Sequence, residues 1–226
     1  MNNVLGLVTI GQSPRPDMLA DMVPYIGKET KIIEIGALDG LSYEEILEMQ
    51  DGKDNNLLIT KLRDGRTVNV VESFVFSRVQ ECIYYLEGKD VDLILLLCTG
   101  VFQEDFISKK KIIYPQKMLH GLVEHLVGSG KTAVVTPEED QINFYQEKWN
   151  RLGDNIFVSH CSPYGDSKEL DRLVSDLDKY KDIDLIVLDC MGYGLDFKKS
   201  LLERTRTPVI LAKTLVARVL GEFFQG

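Results

Sequence analysis

Short apolar runs alternate along this chain with stretches whose apolar residues recur every third or fourth position, nearly from end to end. Val4 to Thr9 reads as a strand, and Pro16 opens a helix to Ile26, since proline at the first helical position gives up an N–H that has no partner there. A strand at Lys31 to Gly36 follows, and Ser42 with Glu45 forms a capping box that opens a helix to Met49. Leu57 to Arg63 and Arg66 to Val71 read as a hairpin, in which Asp64-Gly65 supplies the positive φ angles of a tight turn. A helix from Ser73 to Gly88 then leads into a strand at Asp92 to Leu97.

The alternation restarts after Tyr114-Pro115: helix to Val127, strand Thr132 to Thr136, helix Glu138 to Leu152, strand Asn155 to Ser159, helix Ser167 to Tyr180, strand Asp184 to Leu188. A helix from Asp196, a strand at Val209 to Leu211 and a helix from Lys213 to Phe224 complete the pattern. Helices long enough to cross over between strands predict an α/β fold with mainly parallel sheets.

One stretch comes back. Val91 to Gly100 read VDLILLLCTG, and Ile183 to Gly192, offset by 92, read IDLIVLDCMG, with six of ten positions identical. GLVTIGQSPRP and AVVTPEEDQ each place a threonine, Thr9 and Thr136, at the mouth of a first strand. Two copies of one α/β unit are the economical reading. The predicted domains are residues 1–114, with 212–226 packing back on them as the C-terminal helix, and 115–211. If the halves face one another about a pseudo-twofold axis, Cys98 and Cys190 come to opposite walls of a cleft between them.

Composition narrows the partners. A net charge of −9 with both signs interspersed reads as a solvated surface, and no basic stripe interleaved with aromatics points to nucleic acid. No apolar run approaches the roughly 20 residues that span a bilayer, and MNNVLGLVTIGQSPRP lacks the basic segment and long apolar stretch of a secretion signal. The expected location is cytoplasmic, with no membrane partner; a homo-oligomer is left open.

Four cysteines without a CxxC pair argue against both a disulfide framework and a zinc site. Cys82 lies on a helical face with Val79, Ile83 and Leu86, where a buried structural thiol is expected, and Cys161 follows a strand with no second copy of its pattern. Cys98 and Cys190 differ in kind: both end a strand at the sheet edge where open α/β folds bind ligands. Two thiols across a small substrate can take a proton from one face of a carbon and return it on the other, with no metal or organic cofactor. His120 and His125, five apart, point about 140 degrees apart on a helix and make no paired metal face. His160, beside Cys161, is expected to be structural or solvated.

The segments LVTIGQSPRPD, DLILLLCTG, and LIVLDCMGYG followed by RTPVILAKTLVARVLGE resemble the AroM family, over essentially the whole chain, within the Asp/Glu/hydantoin racemase superfamily. The resemblance implies two pseudo-symmetric α/β domains and racemase, isomerase or decarboxylase chemistry without a cofactor. It makes Cys98 the thiol of the first half and Cys190 that of the second, with a small carboxylate, an amino acid or dicarboxylate, as ligand. The racemases usually follow the first Cys with Asn-Thr and the second with Thr; here Thr99-Gly100 and Met191-Gly192 stand instead. Backbone N–H groups at Gly100 and Gly192, with the Thr99 hydroxyl, would take over the missing asparagine's part.

By position the GQSPRP loop, with Gln12, Ser13 and Arg15, would face the substrate carboxylate. Arg15 offers a two-pronged fork, although a loop arginine is often solvated, and Ser13 would otherwise only form the turn before Pro14. Thr136 would sit at the second mouth or cap the helix from Glu138, with Pro137 first in that helix and Glu139 completing a capping box. Asp189 would look away from Cys190, because neighbours on a strand face opposite sides. Met191 and Tyr193 lie in the following loop, and Tyr193 either meets substrate or packs.

Several readings stay open: a two-thiol racemase or isomerase, a decarboxylase or hydratase that uses one thiol, a non-catalytic carboxylate-binding or regulatory protein, and, least favoured, a thiol-redox protein. Cys98 and Cys190 as plain core thiols is the alternative to all of them.

Overall fold

The computed structural model describes residues 3–49, 57–102, 104–126, 130–180 and 182–225. The chain divides into two units, Met1–Pro115 with Val219–Gly226, and Gln116–Arg218.

The first unit is built from β1 (Val4–Thr9), α1 (Pro16–Ile26), β2 (Lys31–Gly36), α2 (Tyr43–Glu48), β3 (Leu57–Lys61), β4 (Thr67–Val71), α3 (Glu72–Glu87), β5 (Leu93–Leu96) and β6 (Lys111–Ile113). Its main sheet runs β2-β1-β5-β6, parallel throughout. β1 and β5 are central and buried along their whole length, which is why both read as unbroken apolar runs rather than as alternation. The capping box opening α2 is present: Glu45 N donates to Ser42 Oγ, and Ser42 N to Glu45 Oε2. On α3 the inward face carries Val75, Val79, Cys82, Ile83 and Leu86.

The second unit holds α4 (Pro115–Leu126), β7 (Lys131–Thr136), α5 (Ile142–Asn150), β8 (Ile156–His160), α6 (Ser167–Asp178), β9 (Ile183–Leu188), α7 (Leu195–Leu202), β10 (Val209–Leu211) and α8 (Ala212–Phe224). The end of α8 is counted with the first unit, where Gln225 Nε2 donates to the Tyr25 carbonyl. The sheet runs β8-β7-β9-β10, again parallel. Strand for strand this is the order of the first sheet. The rungs agree as well: Leu97 N donates to Val8 O and Ala37 N to Thr9 O in one unit, as Asp189 N does to Val135 O and Cys161 N to Thr136 O in the other.

The structure adds one strand and corrects two expectations. β6 was hidden in the sequence because a three-residue edge strand, half-exposed, carries no apolar run long enough to stand out. The β3–β4 hairpin turns through three residues rather than two: Leu62 N donates to Arg66 O, and only Gly65 takes a positive φ, 92°. That is a type I turn closed by a left-handed glycine, which shifts the turn by one residue from the Asp-Gly reading. Thr136 caps no helix: a 3₁₀ turn at Glu139–Gln141 intervenes before α5, and neither element has a side-chain cap. The predicted end of α4 at Val127 lies outside the described residues.

Candidate functional site

In each sheet the chain leaves the first central strand toward one edge and returns to the second on the other side, so the carboxyl ends of β1 and β5, and of β7 and β9, flank a topological switch point. Cys98 stands two residues past β5 and Cys190 two past β9, at matching places in the repeat.

The two thiols receive the same hydrogen bond. Gly100 N donates to Cys98 Sγ at 3.1 Å, and Gly192 N to Cys190 Sγ at 3.3 Å. A backbone N–H aimed at sulfur favours the thiolate over the thiol. Both glycines are closely hemmed: a Cβ at Gly100 would lie 2.5 Å from Leu58 Cδ2, and one at Gly192 3.1 Å from Pro163 Cγ. Cys98 is 9% exposed and Cys190 more so. The other two cysteines sit differently. Burial pushes the thiols of Cys82 and Cys161 up to about 12, so neither ionises near neutral pH.

Around Cys98 the β3–β4 hairpin lies over the sheet edge, Leu58 against Gly100 and Thr60 against Gly11. Its tip is tied down. Arg63 N donates to Gln12 Oε1, Gln12 Nε2 reaches the Leu38 and Leu41 carbonyls, and the Arg63 guanidinium bonds the Ser13 carbonyl. Asp39 anchors the GQSPRP loop, accepting from Ser13 N at 2.9 Å, Ser13 Oγ at 2.6 Å and Gly36 N at 2.8 Å. Arg15 is not solvated: at 3% exposure its fork grips Asp17 at 2.9 and 2.7 Å, and Nη1 faces Thr9 Oγ1 at 3.4 Å. Thr9 Oγ1 also accepts from Gly11 N.

Around Cys190, Thr136 is buried and its hydroxyl donates to Gln141 Oε1, while Met191 is buried in the loop. Tyr193 packs rather than presenting its hydroxyl: it is fully buried, lies tilted against Phe197 with ring centroids 4.7 Å apart, and donates to the Cys161 carbonyl at 2.6 Å. Burial holds its phenol far above the usual range. Asp189 turns to α5, accepting from Lys148 Nζ and Trp149 Nε1, both at 2.7 Å. His120 lies on Trp149 with ring centroids 4.0 Å apart, and His125 Nδ1 bonds the Gly121 carbonyl. His160 and Cys161 line a pocket of about 280 Å³ with Glu138, Glu169 and Arg172 at the ends of β7 and β8.

Of the expected residues, then, Thr9, Gln12, Ser13 and Arg15 gather at the β1 mouth and Thr99-Gly100 follow Cys98, whereas Thr136, Met191-Gly192 and Tyr193 gather about Cys190. Most of their polar groups are engaged by the chain itself. Sequence reasoning missed Asp39, Arg63, Lys148 and Lys213. Lys148 had a signal, because it falls between Tyr145 and Trp149 on the buried face of α5. Lys213 had one too, as a lysine inside the apolar run VILAKTLVA. Among the described residues no group of three or more His, Cys, Asp or Glu side chains is placed to hold a metal ion, and no helix is long and apolar enough to cross a membrane.

Three solved structures are similar across nearly the whole chain. The aspartate racemase of Picrophilus torridus matches with a TM-score of 0.61 at 11% identity, covering 97% of this chain and 93% of its own. The allantoin racemase of Klebsiella pneumoniae matches at 0.60 and 14%, with 97% and 86% covered. The glutamate racemase of Aquifex pyrophilus matches at 0.58 and 14%, with 98% and 84% covered. At these identities the likeness is one of fold. No curated protein matches in sequence. The AroM family, described as AroM protein, matches over residues 5–224, and the chain belongs to that family.

Proposed function

We propose that this protein is a cofactor-independent racemase or isomerase of a small carboxylate, an amino acid or dicarboxylate, with Cys98 and Cys190 as its acid/base pair. The observation that carries the reading is the repeated Cys-x-Gly turn, which gives each thiol a backbone N–H at the ligand-binding edge of its sheet. A thiolate takes the α-proton, leaving its electron pair spread into the substrate carboxylate. The opposite thiol then gives its proton to the other face of the carbon, and the pair exchanges charge. Nothing is oxidised and no group is transferred beyond one proton out and one in. The scheme requires the two sulfurs to flank a single carbon.

A non-catalytic carboxylate-binding protein is the second reading, favoured by the internal engagement of Arg15, Ser13 and Tyr193. Deuterium wash-in at the α-carbon, screened over small amino acids and dicarboxylates in D₂O, separates the two. Exchange lost in both Cys98→Ser and Cys190→Ser supports the pair. Activity that survives one of them points to one-thiol chemistry such as decarboxylation. Ligand binding without exchange, unchanged in the double variant, overturns the catalytic reading.

A further inference from the structure

The two thiols are equivalent in the repeat but not in their surroundings. β9 pairs with β10 in the register Leu188↔Leu211, so Cys190 and Lys213, each two residues further on, stand beyond the same rung of neighbouring strands. Such strands lie ~4.8 Å apart. Lys213 is the second residue of α8 and only 2% exposed. A lysine in that place is doubly costly: burial strips its ammonium of water, and the first turn of a helix already carries positive partial charge. A methionine would fill the same volume without either cost. Both costs fall away if the ammonium stands opposite a negative charge.

The helix that follows the matching edge strand of the first sheet carries no lysine at that position. α4 follows β6 as α8 follows β10, and its second residue is the neutral Gln116. The repeat therefore differs in charge at this position too, on the Cys190 side, as it does at Leu97 against Asp189.

We infer that Lys213 is the counter-charge of the Cys190 thiolate, a positioning residue that makes Cys190 the base of the pair and leaves Cys98 the acid. This inference rests on the two-thiol reading above. The titratable groups described around the end of β9 are these. Lys148 is paired with Asp189. His120, on α4, is pushed down to about 4 by its burial and by Lys148, and is neutral. Burial raises Tyr193 in the loop and Cys161 past β8 so that both are neutral near pH 7, Tyr145 lies buried on α5, and His160 and Glu138 line the pocket at the ends of β7 and β8.

The test is iodoacetamide alkylation of the full chain across pH 5 to 10, read cysteine by cysteine by mass spectrometry, in the parent and in Lys213→Met, Lys213→Gln and Lys213→Arg. Two charge-removing variants are included so that the test stands even where one folds poorly, and far-UV circular dichroism reports which are native. Loss of the charge is expected to move the Cys190 midpoint up by about one pH unit, slowing its reaction at pH 7 about tenfold, with Cys98 unmoved and the arginine variant near the parent. A Cys190 profile that stays in place in a folded methionine or glutamine variant overturns the inference. The parent's own midpoint speaks to the two-thiol reading instead: if neither Cys98 nor Cys190 titrates below the roughly 8.5 of a free thiol, that reading fails whatever Lys213 does.

Discussion

Lys148 donates to Asp189 at 2.7 Å with both side chains sealed from solvent, 4% and 0% exposed, and Asp189 is the residue immediately before Cys190. Trp149 donates to the same carboxylate oxygen, so α5 is pinned to the end of β9 through one atom. Removing one partner of a buried pair leaves a charge stranded. Lys148→Met should lower stability by about 3–5 kcal/mol in urea unfolding, and Lys148→Met with Asp189→Leu should recover much of the loss. A single variant as stable as the parent would show that the pair does not hold this end of the strand.

Thiol reactivity should divide two and two. Burial raises Cys82 and Cys161 to about 12, and so the native chain at pH 8 should take up alkylating reagent at Cys98 and Cys190 alone. Labelling of Cys82 at the rate seen in denaturant would contradict the burial that α3 gives it.

His120 should contribute to the pH dependence of stability. Its pKa in the folded chain, about 4, lies below the roughly 6.5 of the unfolded chain, chiefly because burial disfavours the imidazolium. The sign follows from the proton count. Between these values the unfolded state binds more protons, so stability falls as pH drops through 6.5 and the loss levels off below 4, reaching about 3 kcal/mol at most. The difference between parent and His120→Gln, followed by urea unfolding from pH 7 to 4, should show that slope; parallel curves would remove the assignment.

Asp39 should hold the GQSPRP loop. It accepts three hydrogen bonds from Ser13 and Gly36, and Arg63 reaches it from the hairpin. Asp39→Ala should cost about 2 kcal/mol and speed amide exchange at Ser13, with β7 to β10 unaffected. Exchange at Ser13 no faster than in the parent would mean that the loop is held by other contacts.

Much of this was legible in the chain. Central strands announce themselves because both faces are buried, and the offset of 92 between the two cysteine motifs pointed to a repeat whose strand orders now agree. Helix starts were legible where a cap carries its own chemistry, as at Ser42. What could not be read were pairings between distant segments. Asp39 with Ser13, Arg15 with Asp17 across the head of α1, and Lys148 with Asp189 depend on which side chains the fold delivers to one another. Strand alternation explains that Asp189 faces away from Cys190, yet nothing in the local sequence names Lys148 and Trp149 as its partners. The same limit applied to Arg15, whose exposure was open until the fold closed over it.

The β3–β4 hairpin has no counterpart among the described residues of the second unit. Leu58 on that hairpin lies close to Gly100, whereas Gly192 has Pro163 and Tyr164 beside it, so the duplicated frame surrounds its two cysteines with unlike neighbours. For a reaction that interconverts mirror images this has a kinetic signature. Enantiomers are equal in free energy, so in the proposed reaction the two directions must share one kcat/KM, but unlike surroundings of the two thiols let each hand have its own KM and its own kcat. A left-right difference in saturation, balanced by an equal difference in turnover, is the trace that a lopsided repeat would leave in the time course.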